Sequence, residues 1–328
     1  VSKKTRTNTV RITKLMKELR YSDVTLIPRE SQVSSRSEAD TSVTLGNHRF
    51  KLPIVPANMK AVIDESLAEK LSEAGYFYIM HRFGVCPIEF CKRAKDWKTI
   101  SISVGVKDKD FKDIEVISAH ARKVDFITID IAHGHSPLVK EMLAHIEDKL
   151  PDSFIIAGNV ATAEAVNDLA RWGANCAKVG IGQGNVCTTK DKTGFTRPMF
   201  SSIIDCTQAS SNLPIIADGG IRCNGDIAKS LVAGARLSMA GSLFSRCVDS
   251  PAITTVIDGK IYKQYFGSAS EHNKGTKSHV EGVMKEVPTN NMTYDQKLTE
   301  IQEDLQSSIS YGGGKELSDL LSVQWSQV

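Results

Sequence analysis

Short runs of β-branched and aromatic residues recur along the chain, each ended by small or polar residues. They are Leu52–Ala57, Tyr76–Met80, Ile100–Val104, Phe126–Ile131, Phe154–Ala157, Ala177–Ile181, Pro214–Ala217 and Leu237–Ala240. Between them, apolar positions fall at helical spacing over Glu65–Glu73, Pro137–Lys149, Ala163–Trp172 and Gly225–Ala233. Most intervals between strand starts are roughly 22 to 28 residues, about what one βα unit occupies. Continuous apolar strands alternating with amphipathic helices call for parallel strands covered by helices. Eight such units predict an α/β fold, a (β/α)8 TIM barrel over residues 21–328. An open doubly wound sheet rarely needs that many strands.

The rhythm breaks twice. The loop after the sixth strand is roughly 14 residues longer than the others, and a loop of that kind in a compact domain is usually functional. After the eighth strand, Tyr262–Asn291 is rich in Gly, Ser, Lys and Asn with little periodicity, which reads as a polar, mobile flap. Barrels carry their chemistry on the loops at the C-terminal ends of the strands, so both breaks point to the site.

Composition narrows the choice further. The chain has 328 residues, 41% of them hydrophobic, and 41 basic residues nearly cancel 38 acidic ones. A net charge of +3 makes no case for nucleic acid or a membrane surface as partner. No apolar run approaches the roughly 18 residues of a membrane helix. Seven cysteines, none in C-x-x-C spacing, argue against a zinc ribbon or a disulfide scaffold and for a reducing, cytoplasmic setting. Residues Val1–Arg20 carry seven Lys or Arg against one Glu. They read as a targeting segment, a solvated basic extension or a remnant of expression.

The strand ends hold the candidate chemistry. The sixth strand runs into Gly180-Ile181-Gly182-Gln183-Gly184-Asn185-Val186-Cys187-Thr188-Thr189-Lys190. Alternate glycines let the backbone turn tightly against a ligand, but no periodic helix follows them, so a dinucleotide fingerprint is weak. Cys187, beside two hydroxyls and a lysine, is a candidate nucleophile; a structural thiol is the plainer alternative. The seventh and eighth strands end in Asp218-Gly219-Gly220 and Gly241-Ser242, turns suited to a phosphate, helped by a helix N-terminus. Asp218 would repel that phosphate and better suits a sugar hydroxyl. Asp130 and Asn159 end the fourth and fifth strands and suit a polar ring or an amine, with turn capping as the alternative. His133 and His135 lack further ligands nearby, which disfavours metal catalysis.

These motifs together carry a resemblance. Cys187 in GIGQGNVCTTK, Lys192-Thr193-Gly194, IIADGGIR, AGSLF and YFGSASE, with SRSEAD (Ser35–Asp40) and VPANM (Val55–Met59), resemble the IMP dehydrogenase/GMP reductase family from about Tyr21 to the C-terminus. Three features favour its reductase branch. Met80 and Ile100 are too close for the regulatory domain usual in the dehydrogenases, and the KTG after CTTK is reductase-like. His279-Val280-Glu281-Gly282 matches the reductase element that holds a catalytic glutamate. DLQSSISYGGG (Asp304–Gly314) resembles the bacterial-type reductases.

The resemblance implies NADPH-dependent reductive deamination of GMP to IMP and ammonia, through a Cys187 thioimidate, in a homotetramer. Thr189 and Glu281 would handle the proton of the departing amine, with Asn159, Lys178 and Asp130 around it. Asp218, Gly219, Gly220, Gly241, Ser242, Ser268, Ala269, Ser270 and Gly282 would hold the nucleotide. Ser35, Arg36, Arg82, Asp130, Ile131, Ala132 and Ser307, Ser308, Ile309 and Ser310 are the NADPH candidates it implies. Carbonyls of Gly182, Gly184 and Cys187 would hold a monovalent cation, K+. The chain departs from the family pattern at Gln183, at Thr196-Arg197-Pro198 and at Ser245-Arg246-Cys247, positions that bear on cation binding and loop mobility. Two other readings are a dehydrogenase lacking its regulatory domain, using NAD and water, and a non-catalytic purine-nucleotide-binding barrel.

Overall fold

A computed structural model describes residues 17–120, 123–209 and 211–328. Of the basic segment Val1–Arg20, residues 1–16 lie outside the described residues. Where the chain enters, Leu19 is buried and exchanges backbone and hydroxyl hydrogen bonds with Ser201 at 2.8 and 3.1 Å.

Seven parallel strands form the central sheet, in the order Ile54–Pro56, Leu237–Ala240, Ile215–Asp218, Cys176–Val179, Phe154–Val160, Phe126–Asp130 and Ser101–Val104. They are seven of the eight predicted runs, and every residue of Ser101–Val104, Cys176–Val179 and Leu237–Ala240 is buried. Helices such as Glu65–Ala74, Pro137–Lys149, Ala163–Arg171 and Asn224–Val232 cover the outside, where Leu67, Met142, Val166 and Ile227 turn inward. The arrangement is the expected parallel α/β barrel.

The second predicted strand, Tyr76–Met80, needs correction. It occupies the gap between the two ends of the sheet but is not a laddered strand. Its one backbone bond to the neighbour runs from Met80 N–H to Ser101 O at 3.2 Å. Side chains replace the rest of the ladder. The Tyr78 hydroxyl donates to Thr99 O at 2.8 Å and accepts from Ser101 N–H at 3.2 Å. Ser72 accepts from Thr99 N–H at 2.9 Å, and the Ser103 hydroxyl donates to Met80 O at 2.6 Å. The apolar run fills the eighth stave by packing, while hydroxyls satisfy backbone groups that a ladder would otherwise pair.

The region after the eighth strand also differs from the expected irregular flap. Thr254–Ile257, Lys260–Phe266 and Met284–Pro288 form a three-stranded antiparallel sheet. Its polarity hides the pattern: Thr254–Ile257 and Met284–Pro288 are mostly exposed, so alternation is lost on two of three strands. Two small pairs, Val43–Leu45 with His48–Phe50 and Val24–Leu26 with Trp325–Gln327, close the N-terminal side and join the chain's ends. No helix among the described residues is long and apolar enough to cross a membrane.

The Tyr78 seam is testable. Tyr78→Phe leaves buried Ser101 N–H without its hydroxyl partner, and stability should fall by about 1–3 kcal/mol. Urea unfolding followed by fluorescence would measure it; an unchanged midpoint would mean that packing alone holds the eighth stave.

Candidate active site

The parallel register brings four polar strand ends side by side. Asp130 stands opposite Gly158, and Gly158 opposite Lys178, on consecutive strands. The close approach requires a glycine: a Cβ on Gly158 would lie 2.7 Å from that of Lys178. Lys178 is only 3% exposed, with Nζ 2.8 Å from Asp218 Oδ2 and 3.1 Å from Asp130 Oδ1. Burial works against its charge, but the two carboxylates outweigh it and hold the ammonium well above the ordinary lysine range. Burial likewise pushes Asp130 up, yet Lys178 and then Arg82 keep its carboxyl below the usual value. Asn159 Nδ2 donates to Asp218 Oδ2 at 2.8 Å and to Gly180 O at 2.7 Å. Its Oδ1 lies buried beside the cleft without a partner among the described residues, an acceptor left for a bound donor.

The loop after Cys176–Val179 is anchored where it leaves the barrel. Gly180 has φ +150°, and a Cβ there would fall 1.8 Å from Asp218 O, so only glycine passes. Gln183 O accepts Gly220 N–H at 3.2 Å, and Gln183 Nε2 donates to Thr196 Oγ1 at 2.6 Å. Arg197 reaches Asp205 at 2.6 Å and Ala161 O at 3.1 Å. The residues that depart from the family pattern therefore staple this loop. Within it, a short helix, Thr189–Thr193, follows Cys187. Cys187 is half-buried, whereas Cys91, Cys176, Cys206 and Cys247 are buried and their thiols pushed up by burial.

Cys187 Sγ lies 3.2 Å from Thr189 Oγ1, whose hydroxyl donates to Glu281 Oε2 at 2.7 Å. Backbone pairing brings Glu281 there. Thr188 N–H donates to Glu281 O at 2.9 Å, Glu281 N–H to Ala269 O at 3.0 Å, and Val283 N–H to Val186 O at 2.9 Å. Gly282 bridges both Cys187 and Ser270. The three residues predicted to act together are thus in line.

A cleft of about 510 Å³ collects most of the remaining candidates: Gly182, Gly184, Gly219, Gly220, Gly241, Ser242, Ser268 and Ala269, together with Arg82, Ile131 and Ala132. Ser270 instead caps the short helix Glu271–Lys274, accepting Asn273 N–H at 3.2 Å. The Gly241-Ser242 turn runs directly into the short helix Ser242–Ser245, while ahead of Asn224–Val232 Asp226 accepts the N–H groups of Arg222 and Cys223 at 2.9 and 3.3 Å. Of the three carbonyls considered for a cation, Gly184 O accepts Cys187 N–H at 3.1 Å. His135 pairs with Asp168 at 2.7 Å, outside the cleft.

Ser35, Arg36 and Ser307–Ser310 do not line the cleft and form a second cluster. Arg36 reaches Ser307 Oγ at 3.4 Å and Tyr311 Oη at 3.3 Å, with its guanidinium 5.1 Å over the Tyr311 ring. Ser310 meets Ser31 at 2.9 Å, Ser308 bonds back to Asp304 O, and Ile309 is fully buried in the core. The cleft also contains residues to which the sequence assigned no role: Asn58, Met59 and Tyr265, which lie within the quoted motifs, and Lys107 and Lys274, which do not. Tyr265 is the most telling, since a Cβ on Gly241 would lie 2.2 Å from its hydroxyl. The signal was its place just before Gly267-Ser268, but a tyrosine in a β-rich run reads as packing.

A family model described as the IMP dehydrogenase / GMP reductase domain matches residues 18–326. The chain is 52% identical over 309 residues to the GMP reductase of Mesoplasma florum, covering 93% of this chain and 96% of that one. It is 51% identical to the GMP reductase of Streptococcus pneumoniae, covering 93% of each. With a match over nearly the whole length, and with the Cys187 loop, the Glu281 flap and the glycine turns meeting at one cleft, the chain belongs to the IMP dehydrogenase/GMP reductase family.

Proposed function

We propose that the protein catalyses the NADPH-dependent reductive deamination of GMP to IMP and ammonia. The line Cys187–Thr189–Glu281 carries this reading, because it pairs a nucleophile with a two-step proton path. Binding alone would need neither. The reductase names of the relatives support the same direction of reaction.

In this reading, Cys187 gives up its proton to solvent and adds as a thiolate to C2 of the purine, while the C2–N3 electron pair moves onto N3. The tetrahedral carbon then bears both sulfur and the amine. A proton passes from Glu281 through Thr189 to that amine, the C2–N bond breaks as the pair on N3 re-forms the C2–N3 double bond, and ammonia leaves a thioimidate on Cys187. When bound, the reduced nicotinamide supplies a hydride to C2. Cleavage of the C2–S bond then frees IMP and the cysteine. Lys178, held charged between Asp130 and Asp218, keeps Asn159 turned so that its orphaned Oδ1 can accept from the purine.

The glycine turns at Gly219-Gly220 and Gly241-Ser242 would hold the 5′-phosphate, with Ser268, Ala269, Ser270 and Gly282 closing over the nucleotide. Arg82, Asp130, Ile131 and Ala132 would face the nicotinamide. Arg36 forms no ion pair among the described residues and is flanked by Ser35 and Ser307, which suits a phosphate of the dinucleotide. Potassium would be an accessory ligand of the Gly182, Gly184 and Cys187 carbonyls.

Incubating the protein with GMP and NADPH, against IMP and NAD, tests the reading. Loss of NADPH absorbance only with GMP is expected; NADH formation from IMP would favour the dehydrogenase reading. Cys187→Ala should abolish turnover while GMP affinity stays within about tenfold, because other loops hold the nucleotide. Calorimetric titration of that variant checks the second half. Glu281→Gln should slow deamination by about 10² to 10⁴. The reverse hydride step, IMP with NADP+ forming the adduct and NADPH, should slow far less, since no amine is protonated there. Rapid mixing at the NADPH absorbance separates the two, and equal slowing would remove Glu281 from proton transfer.

A further inference from the structure

Outside the cleft, Lys263 and Lys297 are the buried lysines among the described residues that the chemistry above does not use, and of the two Lys297 has a carboxylate partner, Glu300. Lys263 sits in the middle of the flap strand Lys260–Phe266 and is only 2% exposed. Its ammonium donates to three backbone carbonyls, Val248 O at 3.0 Å, Ser250 O at 3.1 Å and Ala252 O at 3.2 Å. Asp249, the acid whose charge it feels, accepts Tyr294 N–H at 2.9 Å instead. An ammonium has three donors, and all three are matched by carbonyls of one short loop. A lysine is almost never buried without a carboxylate partner, so the arrangement is costly unless the loop needs a cation.

The loop it gathers lies between the short helix Ser242–Ser245 and the first flap strand, Thr254–Ile257. The loop is also the hinge by which the flap leaves the barrel. Gln264 N–H donates to Ile253 O at 2.8 Å beside the same ammonium, and Asn290 N–H returns to Arg246 O at 3.0 Å. Lys263 and Tyr265 are two residues apart on one strand, so both project from the same, barrel-facing side. Lys263 meets the hinge, Tyr265 meets Gly241 and the cleft, and the strand then passes into Gly267–Ser270, against which Glu281 is paired. In register, Lys263 opposes Val287 and Phe266 opposes Met284 on the strand that follows Glu281.

We infer that Lys263 is a positioning residue: a tethered cation that draws the Val248–Ala252 carbonyls together and so sets the flap strand at the depth where Tyr265 reaches the cleft and Glu281 reaches Thr189. This rests on the reading that Glu281 serves Cys187. Lys263→Met keeps the length of the side chain but leaves three desolvated carbonyls without a donor. The lost bonds lie at the hinge of the flap, which should therefore loosen before the barrel does.

Hydrogen–deuterium exchange read by mass spectrometry tests this on the full chain without ligands. In Lys263→Met, peptides over residues 254–288 should exchange at least about tenfold faster, while those over Phe126–Asp130 and Phe154–Val160 keep the wild-type rate. Lys260→Met, exposed on the same strand, should change neither. In Lys263→Ala, which leaves room at the three carbonyls, methylammonium at tens of millimolar should restore both slow flap exchange and GMP-dependent NADPH oxidation; it should do neither in Lys263→Met. Unchanged flap exchange in Lys263→Met overturns the inference. So does barrel exchange rising in step with the flap in both variants, which would make Lys263 part of the general core. Faster flap exchange with undiminished turnover overturns the positioning role. The exchange arm needs no turnover, so a wild type inactive on GMP would count against the proposed reaction alone.

Discussion

The site is organised around one buried ammonium between two carboxylates. Lys178 lies buried at the end of its strand, and the carboxylates of Asp130 and Asp218 keep it charged. Removing Lys178 would leave two carboxylates without their cation, a loss of about 3–5 kcal/mol in comparable buried pairs. The triad also ties the fourth, sixth and seventh staves at their C-terminal ends, and Asp218 in turn orients Asn159 on the fifth. Four strand ends are thereby locked in one plane before any ligand arrives.

Around this centre the chain trades side chains for close backbone contact. Gly158 lets Lys178 lie against the neighbouring strand, and Gly180 lets the Cys187 loop leave over Asp218 O. The loop is then held by Gln183, Thr196 and Arg197, so Cys187 sits on a stapled segment rather than a free one. The flap meets that segment through backbone pairing at Val186, Thr188 and Gly282. Position is therefore set from two sides: the barrel rim fixes the sulfur, and the flap fixes the carboxylate.

The two polar devices away from the rim follow the same physical rule. Along the second stave, Tyr76–Met80, the hydroxyls of Tyr78, Ser72 and Ser103 satisfy backbone groups that no ladder reaches. At the flap hinge, the Lys263 ammonium does so for three carbonyls. In both places a side chain supplies the hydrogen bonds that irregular backbone cannot, which lets the fold depart from a regular barrel without burying unpaired polar groups.

Periodicity and local chemistry were enough to read the barrel, its strand order in the chain, the two long loops and the glycine turns, because each depends on residues close in sequence. Cys187 was legible for the same reason, lying next to one strand end, whereas Lys178 and the part given to Thr189 came only with the resemblance. That Glu281 bonds Thr189 across 92 residues was available only through resemblance, since nothing local to a polar loop says where it folds. Tyr76–Met80 has the composition of a strand, yet whether its backbone is laddered depends on hydroxyls contributed by other elements. The flap's strands were hidden because a sheet exposed on most of its surface has no apolar alternation to display. Lys263 reads in sequence as one more surface lysine, and only the tertiary structure, by gathering three carbonyls around it, decides that its charge belongs inside.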